Sequence, residues 1–252
     1  MILKQTKITP ASCSKLTRLN KFISNSARTA RRKADELIIQ GRVTVNKKIV
    51  KEPGIRIDPE NDVVKLDGEK LKPVKQSVYI VLYKPAGYIT TTSDDRGRPT
   101  VMDLIGLNVR LYPVGRLDYD TEGVLLLTND GYFANLMMHP SREVFKVYLV
   151  KVDKPVQPRD IEKLRKGIVI DGRPTARAEV KIIENSDYRC LRISIHEGRN
   201  RQIKRMFEAL GYRVVKLKRI QFAGIGLGGL KPGQWRYLTV DELKKATELG
   251  RR

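Results

Sequence analysis

Asp118 falls two residues after Arg116 in the run Gly115-Arg116-Leu117-Asp118-Tyr119-Asp120-Thr121-Glu122-Gly123, which leads directly into the apolar segment Val124-Leu125-Leu126-Leu127. Ordinary hairpin turns use Gly, Pro, Asn and Asp for their backbone geometry. They have no need of Arg, Asp and Glu set against a buried strand. A carboxylate at such a place loses solvation unless a cation sits beside it. Arg116 could supply that cation, and an aspartate held ionised at a strand tip is suited to nucleophilic chemistry.

Three other patches carry groups that could act with it. In Glu143-Val144-Phe145-Lys146-Val147-Tyr148-Leu149-Val150, the two-residue period of a strand puts Lys146 and Tyr148 on one face. By itself Tyr148 reads equally well as a core tyrosine. In Glu197-Gly198-Arg199-Asn200-Arg201-Gln202-Ile203-Lys204-Arg205-Met206-Phe207, the residues Ile203, Met206, Phe207 and Leu210 form a helical apolar stripe. From Arg199 to Arg219 there are eight Lys or Arg and one acid, Glu208. The fourth patch, Tyr83-Lys84-Pro85-Ala86-Gly87-Tyr88, reads as a strand end followed by a Pro-Gly turn.

Other chemistries are disfavoured. Cys13 and Cys190 are the only cysteines and are far apart, and His139 and His196 make no metal-ligand spacing. Cys190 lies in an alternating strand pattern and reads as a small buried side chain. The stretch Gly224–Leu230 is glycine-rich but lacks the Gly-Lys-Ser/Thr of a phosphate loop, so it reads as a turn between short strands. No metal or cofactor is expected.

These elements sit in a chain of 252 residues with 50 Lys plus Arg against 28 Asp plus Glu, a formal net charge of +22. A surplus of that size implies a polyanionic partner, nucleic acid above all. There is no apolar run long enough to span a bilayer and no signal-peptide core, so a membrane is not expected and a cytoplasmic location is.

The coarse organisation follows from periodicity. Residues 1–14 carry no period and read as a loose arm. Between Lys15 and Lys33 there are seven Lys or Arg and no acid. Ala30, Ala34, Leu37 and Ile38 then fall at helical spacing, with Ser26 as N-cap and Gly41 as stop. Short strands follow, with turns at Asn46-Lys47 and Asp67-Gly68. A linker is expected at Pro73–Ser77 and a buried strand at Val78–Tyr83. Further strands are expected at Val124–Thr128, Val144–Val152, Ala178–Ile183, Cys190–Ile195 and Arg213–Leu217. Helices are expected at Tyr132–Met138, Pro158–Lys166, Arg199–Leu210 and Val240–Leu249. Strands outnumber helices and several are joined by tight turns. That pattern implies the α+β class, with a mixed, largely antiparallel sheet flanked by helices.

The Arg-Leu-Asp turn, the Lys-x-Tyr strand, the Gly198-Arg199-Asn200-Arg201-Gln202 segment and the Lys84-Pro85-Ala86-Gly87 turn together resemble the RsuA/RluB-type ribosomal RNA pseudouridine synthases. Those enzymes isomerise one uridine of ribosomal RNA to its carbon-linked form. The runs Arg18-Leu19-Asn20-Lys21-Phe22, Arg31-Arg32-Lys33-Ala34 and Gly41–Asn46 resemble the RNA-binding domain named after ribosomal small-subunit protein S-four. The resemblance implies a small basic αL-type domain at residues 15–75 and a catalytic domain at 78–252. It makes Asp118 the nucleophile and Tyr148 the ring on which the flipped base stacks. Arg199 becomes the partner of the aspartate, with Arg116 a competitor for that place. Asp120 and Glu122 could be acids for glycosidic cleavage, although a solvated or capping role is preferred for both. Arg18, Lys21, Arg28, Arg31, Arg32, Arg42 and Asn46 in the small domain, and Lys84, Arg201, Lys204 and Arg205 in the large one, are the expected RNA contacts; the Lys84 turn is also expected to have a structural role near the substrate, and simple exposure is the alternative for Arg201, Lys204 and Arg205. The substrate implied is ribosomal RNA, naked or within a pre-ribosomal particle, with a lean toward the large-subunit RNA. Small-subunit RNA, transfer RNA and a non-catalytic assembly factor are the alternatives. A monomer is the default, for want of a dimerisation signal.

Overall fold

The computed structural model describes residues 16–74 and 76–251. The expected arm at residues 1–14, and Cys13 with it, lies outside the described residues. The chain divides into two compact units, one of residues 1–77 with 108–110, the other of residues 78–107 with 111–252.

In the first unit the strand pair β1 (Thr17–Arg18) and β4 (Arg56–Ile57) accompanies two helices, α1 (Leu19–Ser26) and α2 (Arg31–Ile39). A four-stranded antiparallel sheet follows, built from β2 (Val43–Val45), β3 (Lys48–Val50), β5 (Val64–Leu66) and β6 (Glu69–Lys70) in the order β3-β2-β5-β6. The helices are short and marginal alone, but Leu19, Phe22 and Ile23 on α1 and Ala34, Leu37 and Ile38 on α2 recur at helical spacing. They bury together with Val43, Ile57 and Val64 as one core. Ser26 does not cap the second helix, as the sequence suggested. It is the last residue of α1, and α2 starts at Arg31 behind an extended Ala30 without a side-chain cap. Between them Arg28 takes a positive φ of 53°, which turns the chain. Asn46 and Lys47 both have positive φ, as do Asp67 and Gly68, the geometry that tight hairpins require.

The second unit is one twisted sheet with helices against it. Its strands are β7 (Tyr79–Lys84), β8 (Tyr112–Val114), β9 (Glu122–Thr128), β10 (Lys146–Val152), β13 (Glu179–Ile182), β14 (Cys190–Ile195), β15 (Val214–Phe222), β16 (Ile225–Gly226) and β17 (Trp235–Tyr237). The order is β13-β14-β10-β15-β9-β7-β17, with β8 beside β9 and β16 beside β15. A small hairpin, β11 (Val169–Ile170) with β12 (Arg173–Pro174), stands apart. The helices are α3 (Gly131–Met138), α4 (Pro158–Lys166), α5 (Gln202–Glu208) and α6 (Val240–Arg251). Every pairing in the sheet is antiparallel except that of β9 with β15, through Lys218↔Glu122 and Arg219↔Gly123. The mixed, largely antiparallel sheet expected from the sequence is therefore present.

Two elements differ from expectation for local reasons. β15 runs on to Phe222, because its buried face carries Arg219 where the alternation called for an apolar residue. α5 begins only at Gln202, because Arg201 adopts a left-handed φ of 49° and the Gln202 side chain accepts a hydrogen bond from the Arg199 amide, making residues 199–201 a turn.

The parallel join is the tightest point of the sheet. Gly123 has φ 116°, and a Cβ placed there would lie 2.0 Å from the carbonyl oxygen of Arg219. Only glycine permits that approach. Gly123→Ala should therefore separate β9 from β15 and lower stability by roughly 3 kcal/mol or more. A denaturant midpoint equal to that of the unmutated chain would refute this.

Candidate active site

The Arg-Leu-Asp turn is held by its backbone. Lys84, the last residue of β7, is completely buried. Its Nζ donates to the carbonyl oxygens of Pro85 (3.0 Å), Asp118 (3.0 Å), Tyr119 (3.3 Å) and Thr121 (2.8 Å). Burial pushes this ammonium down to about 8, against the opposing pull of Asp120 and Asp118. On the other side the Thr90 hydroxyl donates to Leu117 O at 2.7 Å and accepts from Leu117 N at 3.2 Å. The Gly87 amide donates to Tyr119 O at 2.8 Å, and the Thr121 amide closes the turn onto Asp118 O at 3.1 Å. Every one of these bonds is to main chain. They fix the turn and leave the Asp118 carboxylate free. Lys84 is thus not an RNA contact, which corrects the expectation from sequence: it is buried and its donors are taken.

The Asp118 carboxylate is one-third exposed, and its nearest cation is Lys204 Nζ at 4.0 Å. Lys204 is itself buried and lies 2.5 Å from Asp120. It too is corrected from a phosphate contact to a component of the site. Arg199 is not the aspartate's partner. It pairs with Glu197 at 3.3 Å and donates to the carbonyl oxygens of Arg173 and Pro174, so it fastens the β11–β12 hairpin. Arg116 is exposed and makes no ion pair among the described residues. Asp120 pairs with Lys204 and Glu122 with Lys216, so neither is the free or capping carboxylate that the sequence suggested.

Asp118 and Tyr148 line one cavity of about 590 Å³, together with Arg116, Lys146, Arg199, Arg201, Arg219 and Phe222. Tyr148 is buried on β10, directly opposite Ile193 of β14 and Arg219 of β15. Its hydroxyl has no hydrogen-bond partner among the described residues. Lys146 shares this face, as its spacing required. Its Nζ donates to Val144 O and His196 O and lies 5.6 Å from the Phe222 ring centre. Burial, and then the charge of Arg219, push Lys146 down to about 8, while Glu197 pulls the other way.

Arg219 is the residue that reading the sequence missed. It is only 2 % exposed, its Nε donates to Val124 O at 2.7 Å, its guanidinium lies 4.9 Å from the Phe222 ring, and one terminal nitrogen has no partner among the described residues. A buried arginine without a carboxylate costs several kcal/mol, a cost that marks functional sites. Its alternation with Leu217 across from Tyr148 was the available signal.

The remaining expected RNA contacts are placed as follows. Arg18, Arg31 and Arg32 are exposed, and Lys21 is half-buried. Arg28 is exposed and donates to Asn108, and Arg42 forms a two-pronged pair with Asp67. Asn46 is occupied, donating to Asp62 and accepting from the Val63 amide, so it holds a loop instead of presenting its amide to RNA. Arg201 is exposed at the mouth of the cavity. Arg205 is partly exposed and is engaged by Asp171 and Asn200.

Comparison with known proteins gives the family. Residues 78–209 match the RNA pseudouridylate synthase family and residues 17–64 match the S4 domain. The chain is 44 % identical over 239 residues to "Ribosomal large subunit pseudouridine synthase B" of Bacillus subtilis, covering 93 % of this chain and 97 % of that protein. It is 40 % identical over 228 residues to "Dual-specificity RNA pseudouridine synthase RluF" of Escherichia coli, covering 90 % and 77 %. A crystal structure of a pseudouridylate synthase superposes with a TM-score of 0.67 at 34 % identity, covering 91 % of this chain and 99 % of that one. With a basic S4 domain ahead of a sheet whose turn presents Asp118 to a tyrosine-lined cavity, this chain belongs to the RNA pseudouridylate synthase family.

Proposed function

We propose that the protein isomerises a uridine of ribosomal RNA, in the large subunit, to pseudouridine, with Asp118 as nucleophile. The observation that carries the assignment of roles is the Asp118 carboxylate itself. Its backbone is fixed by Lys84, its side chain makes no close hydrogen bond among the described residues, and it faces the same cavity as Tyr148. A nucleophile needs that combination of fixed position and free charge.

In this reading the flipped uracil stacks on Tyr148. An Asp118 oxygen adds to the sugar C1′, and the C1′–N1 bond breaks with its electron pair on the uracil. The base turns, C5 bonds to C1′ as the carboxylate leaves, and the C5 proton is lost while N1 gains one. Lys146 and Arg219 face the uracil and offset the negative charge it carries once detached. Lys204 lies 4.0 Å from the Asp118 carboxylate and offsets its charge. The large-subunit assignment rests on the name of the Bacillus subtilis relative, and the exposed arginines of the S4 domain supply phosphate contacts that position the RNA without choosing its sequence.

Lys204→Met should lower turnover about 10²-fold, because Asp118 and Asp120 lose the ammonium they share, while RNA affinity changes little. A Kd that rises as steeply as kcat falls would return Lys204 to the phosphate contacts. The assignment of target is tested by carbodiimide mapping of ribosomal RNA from cells lacking the gene. Loss of one reverse-transcription stop in large-subunit RNA supports it. Loss only in small-subunit or transfer RNA overturns it.

A further inference from the structure

The faces of the β13-β14-β10-β15 sheet differ sharply. Tyr148, Val150, Ile193 and Leu217 point to the cavity and core. The opposite face follows from the pairing register as three rows. One row runs Glu179, Ser194, Val147, Gln221; the next Lys181, Arg192, Leu149, Lys218; the third Cys190, Lys151, Lys216. Lys151, Lys181, Arg192 and Lys216 on these rows are exposed.

Two features set this face apart from the general positive charge of the chain. Lys181 is directly opposite Arg192, and Lys151 directly opposite Lys216. Like charges directly opposed across strands destabilise a sheet, and here this happens twice on one face. Lys216 is offset by Glu122 at 3.0 Å. Among the described residues, Lys151, Lys181 and Arg192 have no ion pair. Beside them is an open groove of about 260 Å³ whose lining includes Phe145, Val147, Lys181, Arg192 and Gln221, with Glu179 its single acid. The Phe145 ring at its edge is 47 % exposed.

We infer that this sheet face, on the side away from the catalytic cavity, binds a second stretch of the RNA backbone that carries the target uridine. Phosphates relieve the opposed charges, and Lys181 to Lys218 span three strand spacings, roughly 14 Å, enough to follow a strand of nucleic acid. The exposed Phe145 offers a base a stacking surface, a contact indifferent to sequence. The inference rests on RNA being the substrate; its test reads binding and turnover separately.

The test is the full-length double variant Lys181→Ala, Arg192→Ala. Both side chains are exposed and neither belongs to the catalytic machinery. Kd for large-subunit RNA is measured across a salt series, beside single-turnover tritium release at saturating RNA. The inference expects about a tenfold weaker Kd at low salt, a salt slope reduced by roughly 1.5, an unchanged saturating rate, and a melting temperature equal to or above that of the unmutated chain. Unchanged Kd and slope overturn it, including the case in which the face serves an acidic protein. If the unmutated protein binds RNA and releases no tritium, the catalytic reading fails and the Kd comparison still decides this one.

Discussion

Asp118→Asn will bind RNA as tightly as the unmutated protein and will not turn it over. The two side chains have nearly the same shape, so the cavity and the backbone bonds from Lys84 and Thr90 persist. Lys204 keeps its closer partner, Asp120, so no new buried charge is stranded. What is lost is the anion that adds to C1′, and an amide does not replace it. Removing a nucleophile from a fixed constellation costs at least about 10⁴-fold in rate. Comparable loss of RNA binding would mean that Asp118 shapes the site and does no chemistry.

Lys84→Met has the second large effect, and on a different property. Four carbonyl oxygens converge on one buried ammonium, three of them from the catalytic turn. Methionine fills the volume and donates nothing, so those acceptors are left dry. Removal of the buried charge that they bind should cost roughly 3–5 kcal/mol and let the turn move, which lowers turnover even where the variant folds. The pH dependence gives an independent check. Lys84 is held at about 8 when folded and titrates at 10.5 when free. Between those values the unfolded chain carries the extra proton. This group therefore makes stability rise with pH across that window, and below 8 its contribution is constant. Methionine should flatten that rise. Calorimetric melting of both proteins from pH 7.5 to 10 measures it, and parallel curves at equal melting temperature would contradict the role given to Lys84.

The sequence made the elements legible where local pattern and tertiary burial agree. Helix Pro158–Lys166 begins at a proline suited to the first turn, ends before Gly167, and has Ile161 and Leu164 on one face. Strand Cys190–Ile195 alternates cleanly. Asp118 and Tyr148 do line one cavity, a pairing that the family resemblance implied and that the strand period alone left open. The cations were less legible. Lys84 and Lys204 read as RNA contacts and Arg219 went unread, because such side chains are seldom buried unpaired. What buries them is contact with residues 34 to 95 positions away in the chain, with Lys84 on Asp118, Lys204 on Asp120 and Arg219 on Val124. No local period encodes that for the two lysines, and for Arg219 the alternation with Leu217 is the one local sign. Arg199 misled in the opposite sense: its motif position suggested the aspartate, and the turn at residues 199–201 sends it to Glu197 and the β11–β12 hairpin.

The central claim is that this cavity rearranges uridine through Asp118, and release of tritium from uridine labelled at C5 tests it most directly, because that hydrogen leaves only when C5 bonds to the sugar. Purified protein and Asp118→Asn would be given labelled large-subunit and small-subunit RNA in parallel. The account predicts release from large-subunit RNA by the unmutated protein, with none from the variant. Equal release by the variant would contradict it, as would no release from either RNA under conditions in which both are bound.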